Sequence, residues 1–198
     1  MKQPKLEKTI FFIISGPSGA GEDSVVEGLK SKINFERVIT TVTRSKRRGE
    51  SEGHPYHFVT VKKFEGMIKK NQFFEWARVY GDYRGATKKE IKRLARKKVL
   101  VLWKVDFQGV EAIKKRMPGV LAVLILPPSL KILEQRLIRR GQDSLDVIKK
   151  RMPFTKKWLR HRRCYDYVVV NKESELKKTI EKVFKILVQN IKNQTVGY

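Results

Sequence analysis

The first strong pattern in the chain is a short apolar run, Ile10 to Ile14, which breaks at Gly16, Gly19 and Gly21. Helical spacing follows from Ser24, with Val25, Val26 and Leu29 on one face, so strand, glycine-rich loop and helix are expected in that order, the helix ending near Lys32. Arg37 to Thr43 is rich in β-branched residues and predicts a strand, with a charged loop from Arg44 to Gly53 after it. Tyr56 to Val61 reads as a short strand, Lys62 to Lys70 as a basic helix, and Phe73 to Tyr80 as another strand. From Lys88 the pattern alternates regularly: helix to Lys98, apolar strand to Asp106, helix Phe107 to Arg116, strand Val120 to Leu126, helix Leu130 to Arg140. A basic helix is expected from Leu145 to Arg151, where Pro153 either follows its first turns or kinks it. Tyr167 to Val170 reads as a last core strand, and Leu176, Ile180, Val183 and Leu187 mark one face of a closing helix.

Such alternation, with a glycine loop after the first strand, predicts an α/β fold: a three-layer α/β/α core around a parallel sheet. Residues 40–87 interrupt the alternation and read as a small inserted mixed α/β subdomain, leaving residues 1–39 and 88–198 as the core of a single domain. Ligands of such folds sit at the carboxyl ends of the strands, which directs attention to Ser15 to Ser24, Thr40 to Arg47, Lys104 to Gln108 and Pro127 onward.

The glycine loop has a direct chemical reading. Glycines let successive backbone N–H groups turn inward, and the next helix aims its positive end at the same point, so Gly16 to Ser24 is laid out as a phosphate-binding P-loop. That motif closes with lysine and then serine or threonine. Here Glu22 holds the lysine place and Asp23 follows it.

Composition narrows the class. Hydrophobic residues at 40% and charged residues at 33% are enough for a packed core and argue against general disorder. MKQPKLEK at the start lacks the apolar stretch of a signal peptide, and the apolar runs are strand-length, so a cytosolic protein with no membrane association is expected. One cysteine, Cys164, and 3 histidines leave no internal disulfide and no zinc cluster. Lys and Arg number 45 against 20 Asp and Glu, a net charge of +25, which attracts polyanions without naming one. The basic residues are spread over Lys46 to Arg48, Lys88 to Lys98, Lys149 to Arg151 and Lys156 to Arg163. That spread favours solvated basic faces, with nonspecific attraction for nucleic acid, over one dedicated nucleic-acid site.

Several ordered segments together resemble the guanylate kinase family across nearly the full chain. They are GPSGAG at Gly16 to Gly21, TVTR with Arg47, Gly49 and Glu50, GHPYHFV around Tyr56, FFEWA around Glu75, VDFQG from Val105, LPPS at Leu126 to Ser129, RLIRRGQDS from Arg136, and YDYVVVN ending at Asn171. The resemblance implies phosphorylation of GMP to GDP by ATP with Mg²⁺, and it implies that residues 40–87 bind GMP and that a mobile lid spans about 138–155. It places Arg44, Arg47 and Tyr56 on the GMP phosphate, where guanidinium forks suit phosphate oxygens. Glu75 would accept from the N1 and 2-amino donors of guanine, a pair that adenine does not offer, with Thr40 and Asp106 completing the pocket. The segment GDYRGAT departs from the family pattern: Arg84 could still reach the phosphate, while Ala86 lacks a hydroxyl for the base.

On the donor side the resemblance assigns ATP to Gly16, Pro17, Ser18, Gly19, Ala20, Gly21, Glu22, Asp23, Ser24 and the adenine-side Asn171. Mg²⁺ falls to Ser24 and Asp23, and phosphoryl transfer to Arg44, Arg136, Arg140 and Arg151. Lys104 stands where the family has an acidic residue, two before Asp106 and on the same side of its strand. A charge swap between Glu22 and Lys104 would answer the loss of the loop lysine, and Lys104, reaching the nucleotide phosphates from its strand, joins the expected catalytic residues. An unanswered sign reversal at about 4 Å is worth roughly 4 kcal/mol per charge pair at an effective dielectric near 20, enough to slow the reaction. Two other readings stay open: a guanylate-kinase-like binding module with an impaired donor site, and a basic nucleic-acid-associating protein.

Overall fold

The computed structural model describes residues 6–47 and 49–195; the first five residues of the N-terminal reading and Arg48 of the basic run lie outside that range. The chain divides into two compact units. One holds Phe12–Asn34 and the chain from Leu121 onward, and the other holds Phe35–Val120 with the residues leading up to Phe11.

The first unit takes β1 (Ile10–Ser15) from Phe12 onward, and the strand is buried at every position, as expected for an apolar strand covered on both faces. It pairs in parallel with β9 (Leu121–Leu126), Phe12 opposite Leu121 and Ser15 opposite Leu124, and β10 (Tyr167–Val170) pairs in parallel on the other side of β9. Helix α1 (Glu22–Lys30) begins two residues earlier than the apolar spacing showed. Its start is set by Gly21, at φ 93°, and acidic Glu22 and Asp23 suit the positive end of the helix. Helix α7 (Leu176–Thr195) packs on α1 where Gly28 leaves no room: a Cβ there would stand 2.2 Å from Ile180 Cδ1. Helices α5 (Leu130–Arg140) and α6 (Leu145–Arg160) start on Ser129 and Ser144, whose hydroxyls accept from the Ile132 and Val147 N–H groups, and they share the buried cluster Leu133, Leu137 and Ile148. Pro153 does not end α6. It lies on the exposed side of the helix, where water can take the place of the one backbone hydrogen bond that a proline removes.

In the second unit, the expected strand Arg37 to Thr43 is two strands in two sheets. Strand β2 (Glu36–Arg37) pairs in parallel with β8 (Leu100–Lys104), and β3 (Thr40–Val42) joins another sheet. Between them the Ile39 N–H donates to Glu90 Oε1 at 3.1 Å, a side-chain partner that marks the change of sheet. The other sheet has the order β4 (Ser51–Glu52), β5 (Pro55–Phe58), β3, β7 (Asp82–Thr87), β6 (Phe73–Val79), all between Thr40 and Thr87. Its core stacks Phe64 of α2 (Val61–Lys69) between Phe73 and Tyr83, with ring centroids 4.3 and 5.1 Å away. Helix α3 (Lys88–Ala95) is capped by Thr87, and α4 (Phe107–Arg116) by Asp106. Strand β7 had no β-branched or alternating signal, since GDYRGAT is turn-like in composition. Among the described residues no helix is long and apolar enough to cross a membrane.

Candidate functional site

In the second unit, strand register sets the expected acceptor residues in a row. Thr40 lies opposite Tyr56, Glu75 lies opposite Ala86, and Val42 opposite Arg84 continues to place Thr40 across from Ala86. Paired residues share a face, so Tyr56, Thr40, Ala86 and Glu75 cross four strands side by side, with Arg84 two residues along the same face.

Glu75 is 5% exposed, and its Oε1 accepts from the Ala86 N–H at 3.0 Å. Burial raises its pKa to about 8, the neighbouring Asp106 carboxylate adds to the rise, and the Ala86 bond, Trp103 and Arg116 oppose it. The indole N–H of Trp103 is near enough to favour the carboxylate yet closes no hydrogen bond among the described residues. Asp106 is raised as well, chiefly by burial. Its Oδ1 caps α4 through the Gly109 N–H at 2.8 Å, and Oδ2 accepts from Gln108 at 3.2 Å. Gly109 is required there: a Cβ would stand 2.8 Å from Val105 Cβ and 3.2 Å from Glu75 Oε2. Arg84 keeps a buried Nε with no hydrogen-bond partner among the described residues, and its charge favours ionised Asp106.

Arg44 is held by a residue that sequence reasoning quoted only as motif. Glu50 takes both of its terminal nitrogens, Nη1 to Oε2 at 2.7 Å and Nη2 to Oε1 at 2.6 Å, and also accepts the Arg47 N–H at 2.9 Å. The Arg44 bond outweighs burial and lowers the Glu50 pKa. The guanidinium lies 4.9 Å from the centre of the Tyr56 ring, which brings Arg44, Arg47 and Tyr56 together. Lys104 ends β8, half-buried.

In the first unit the glycine loop closes tightly. The Ala20 N–H donates to Pro17 O at 2.9 Å, Gly16 passes so near β9 that a Cβ would meet Ile125 O at 2.6 Å, and Gly19 rests on Leu137. Glu22 is buried at 8% exposure in the first turn of α1, whereas Asp23 and Ser24 are exposed. The Ala20 carbonyl accepts from Asn171 Nδ2 at 2.9 Å and from Arg136 Nη1 at 3.4 Å. Asn171 Oδ1 accepts from Thr179, so the Asn171 amide braces the loop from β10 to α7. Arg136 is further fixed by Glu173, at 2.6 Å, and by Asn171 O, at 2.9 Å. Arg140 and Arg151 converge on one oxygen, Asp143 Oδ2, each at 2.7 Å. Asp143 stands inside the motif RLIRRGQDS and Glu173 two residues after Asn171, and the sequence assigned a role to neither.

A family model described as guanylate kinase matches residues 8–190. The chain belongs to the guanylate kinase family. Guanylate kinase from Rickettsia prowazekii (strain Madrid E) is 40% identical over 182 residues, covering 91% of each chain. Guanylate kinase from Pseudoalteromonas translucida (strain TAC 125) is 42% identical over 161 residues, 81% of this chain and 78% of that one. The crystal structure of guanylate kinase from Anaplasma phagocytophilum superposes with a TM-score of 0.72 at 26% identity, covering 92% of this chain and 86% of that one. This is the P-loop kinase fold expected from the glycine loop and strand alternation.

Proposed function

We infer that this member of the guanylate kinase family transfers the γ-phosphoryl group of ATP to GMP, giving ADP and GDP. The observation that carries the acceptor choice is the row Tyr56, Thr40, Ala86, Glu75, which ends on a buried carboxylate. A carboxylate acceptor in a water-poor pocket selects a base edge with two adjacent donors, because a base without them leaves the charge buried and unpaired. Guanine offers that edge. Arg44, pre-oriented by Glu50, together with Arg47, Tyr56 and Arg84 would hold the phosphate, and Thr40 and Asp106 would line the base.

On the donor side the N–H groups of Gly16 to Ser24, apart from Pro17, which has none, and Ala20, whose N–H is held by Pro17 O, would cradle the phosphates of ATP, and Arg136, Arg140 and Arg151 would offset charge on the transferring group. The exposed Ser24 hydroxyl and Asp23 carboxylate fit Mg²⁺, which takes one or two protein oxygens and leaves its other positions to phosphate and water. When bound, Mg²⁺ would neutralise phosphate charge. Residues 40–87 would form the GMP-binding part and residues 138–155 the lid, with Asp143 holding Arg140 and Arg151 ready. Glu22 and Lys104 are proposed to be energetically coupled: reversing both charges should restore ATP affinity that either reversal alone lowers, and additive losses would refute the coupling.

The test is ADP release with GMP, AMP, UMP or CMP as acceptor. GMP should exceed the others in kcat/KM by at least a hundredfold, and comparable rates with AMP would overturn the base assignment. Loss of GMP selectivity in Glu75→Gln, with ATP affinity unchanged, would tie it to the residue named.

A further inference from the structure

The spread of basic residues along the chain conceals an ordered surface on α6 and the 3-10 turn after it, Arg162–Cys164. Between Val147 and Tyr165 the chain holds eight Lys and Arg and no Asp or Glu. At 3.6 residues per turn, Lys149, Lys150, Lys156, Lys157 and Arg160 fall within an arc of about 120° running some ~16 Å along α6. All five are exposed. The buried side chains Ile148, Thr155 and Trp158 lie on the opposite side, and Arg151, tied to Asp143, lies on that side too.

These cations are also uncompensated. Among the described residues Lys149, Lys150, Lys156 and Arg160 have no carboxylate partner, and Lys157 stands only over the Phe154 ring at 5.9 Å. Arg162 and Arg163 extend the charge and form no ion pair among the described residues. Asp146, in the first turn, is the one carboxylate of α6 on that arc. Solvated helix faces are ordinarily laced with opposite charges at i+3 and i+4, as at Lys30 and Glu27. Here Arg160 instead follows Lys156 at i+4 and Lys157 at i+3, and such like charges repel and cost the helix a few tenths of a kcal/mol per pair.

We propose that this stripe of α6 binds the phosphate backbone of a nucleic acid. Charge complementarity names the partner: about 16 Å of aligned cations matches roughly five phosphates at the ~3.4 Å axial spacing of one duplex strand. No aromatic residue lies on the arc, so bases are not stacked and binding is independent of sequence. Pro153 is the one exposed apolar residue at its centre, and no exposed Leu, Ile, Val or Met lies on the arc, so the surface lacks the apolar face with which a helix enters a membrane interface.

The test is fluorescence anisotropy with a labelled duplex of about 20 base pairs, titrated across salt. It compares the intact protein with a stripe variant, Lys156→Gln, Lys157→Gln and Arg160→Gln, and with a control that removes as many cations from α2, Lys62→Gln, Lys63→Gln and Lys69→Gln. The stripe variant should lose at least tenfold in affinity at low salt, with the log–log salt slope reduced by about 3, while GMP phosphorylation is unchanged. The control should lose less than threefold. Equal losses in the two variants would overturn the proposal and leave net charge as the whole cause. Tighter binding of phosphatidylserine vesicles than of duplex, at equal phosphate, would overturn it in favour of a membrane surface. Failure of GMP phosphorylation in the intact protein would bear on the kinase reading and not on the stripe.

Discussion

Glu75 is where burial and charge conflict most. Its neutral form is favoured in the free protein, since burial lifts the carboxyl to about 8, yet guanine donors need the ionised form. GMP binding near pH 7 should therefore release close to one proton, seen as a dependence of calorimetric enthalpy on buffer ionisation, and Glu75→Gln should abolish it. The same shift has a sign for stability. A folded-state pKa raised above the unfolded value means that the native state holds the proton longer. Stability from this group is thus full below the ordinary carboxylate range, falls as pH rises toward about 8, and is level beyond. Urea midpoints from pH 5 to 9 should show that fall in the native sequence and a flatter profile in Glu75→Gln. FFEWA identified the residue, but nothing in the sequence showed the Ala86 N–H, Gly109 or Trp103 beside it, because those neighbours come from β7, α4 and β8. Arg44 is similar: its phosphate chemistry was legible, whereas its bidentate partner Glu50 depends on how the loop closes.

Helices and strands whose apolar period agreed with their burial were legible: α4 and α5 keep the boundaries their spacing indicates, and β9 begins one residue later than expected. Where the backbone changed sheets at Ile39, composition stayed uniformly β-branched and gave no sign of the break. The packing of α5 against the glycine loop was not legible either, since Leu137 meets Gly19 across more than a hundred residues of chain. That contact gives α5 two duties. Leu137→Ala should cost about 2–5 kcal/mol in urea denaturation and also weaken ATP binding, because the loop loses its support. Ser144→Ala, which removes only the cap of α6, should cost about 1 kcal/mol and leave ATP binding within about twofold. Equal effects on ATP binding from both changes would contradict the support role of Leu137.

For the molecule as a whole, the charge of +25 was fully legible as a number and hardly at all as an arrangement. Acidic residues are spent on particular tasks, Glu50 on Arg44, Asp143 on Arg140 and Arg151, Glu173 on Arg136, which leaves the remaining cations to repel one another. Screening that repulsion should stabilise the fold, so the thermal midpoint should rise between about 50 and 500 mM sodium chloride, where the Debye length contracts from above ~10 Å to below ~5 Å. A midpoint that falls with salt would mean that the ion pairs outweigh the repulsion. The family and the fold rest on the whole chain, and the proposed catalysis rests on a donor loop that carries Glu22 in place of lysine, so that backbone N–H groups would have to supply the phosphate contacts.

The most direct test follows the phosphoryl group itself, with γ-labelled ATP, Mg²⁺ and an equal mixture of GMP and AMP. The label should appear in GDP, with little in ADP formed from AMP and little as free phosphate. Label that stays in ATP or goes to free phosphate, while GMP still binds, would contradict phosphoryl transfer and leave a GMP-binding module in its place.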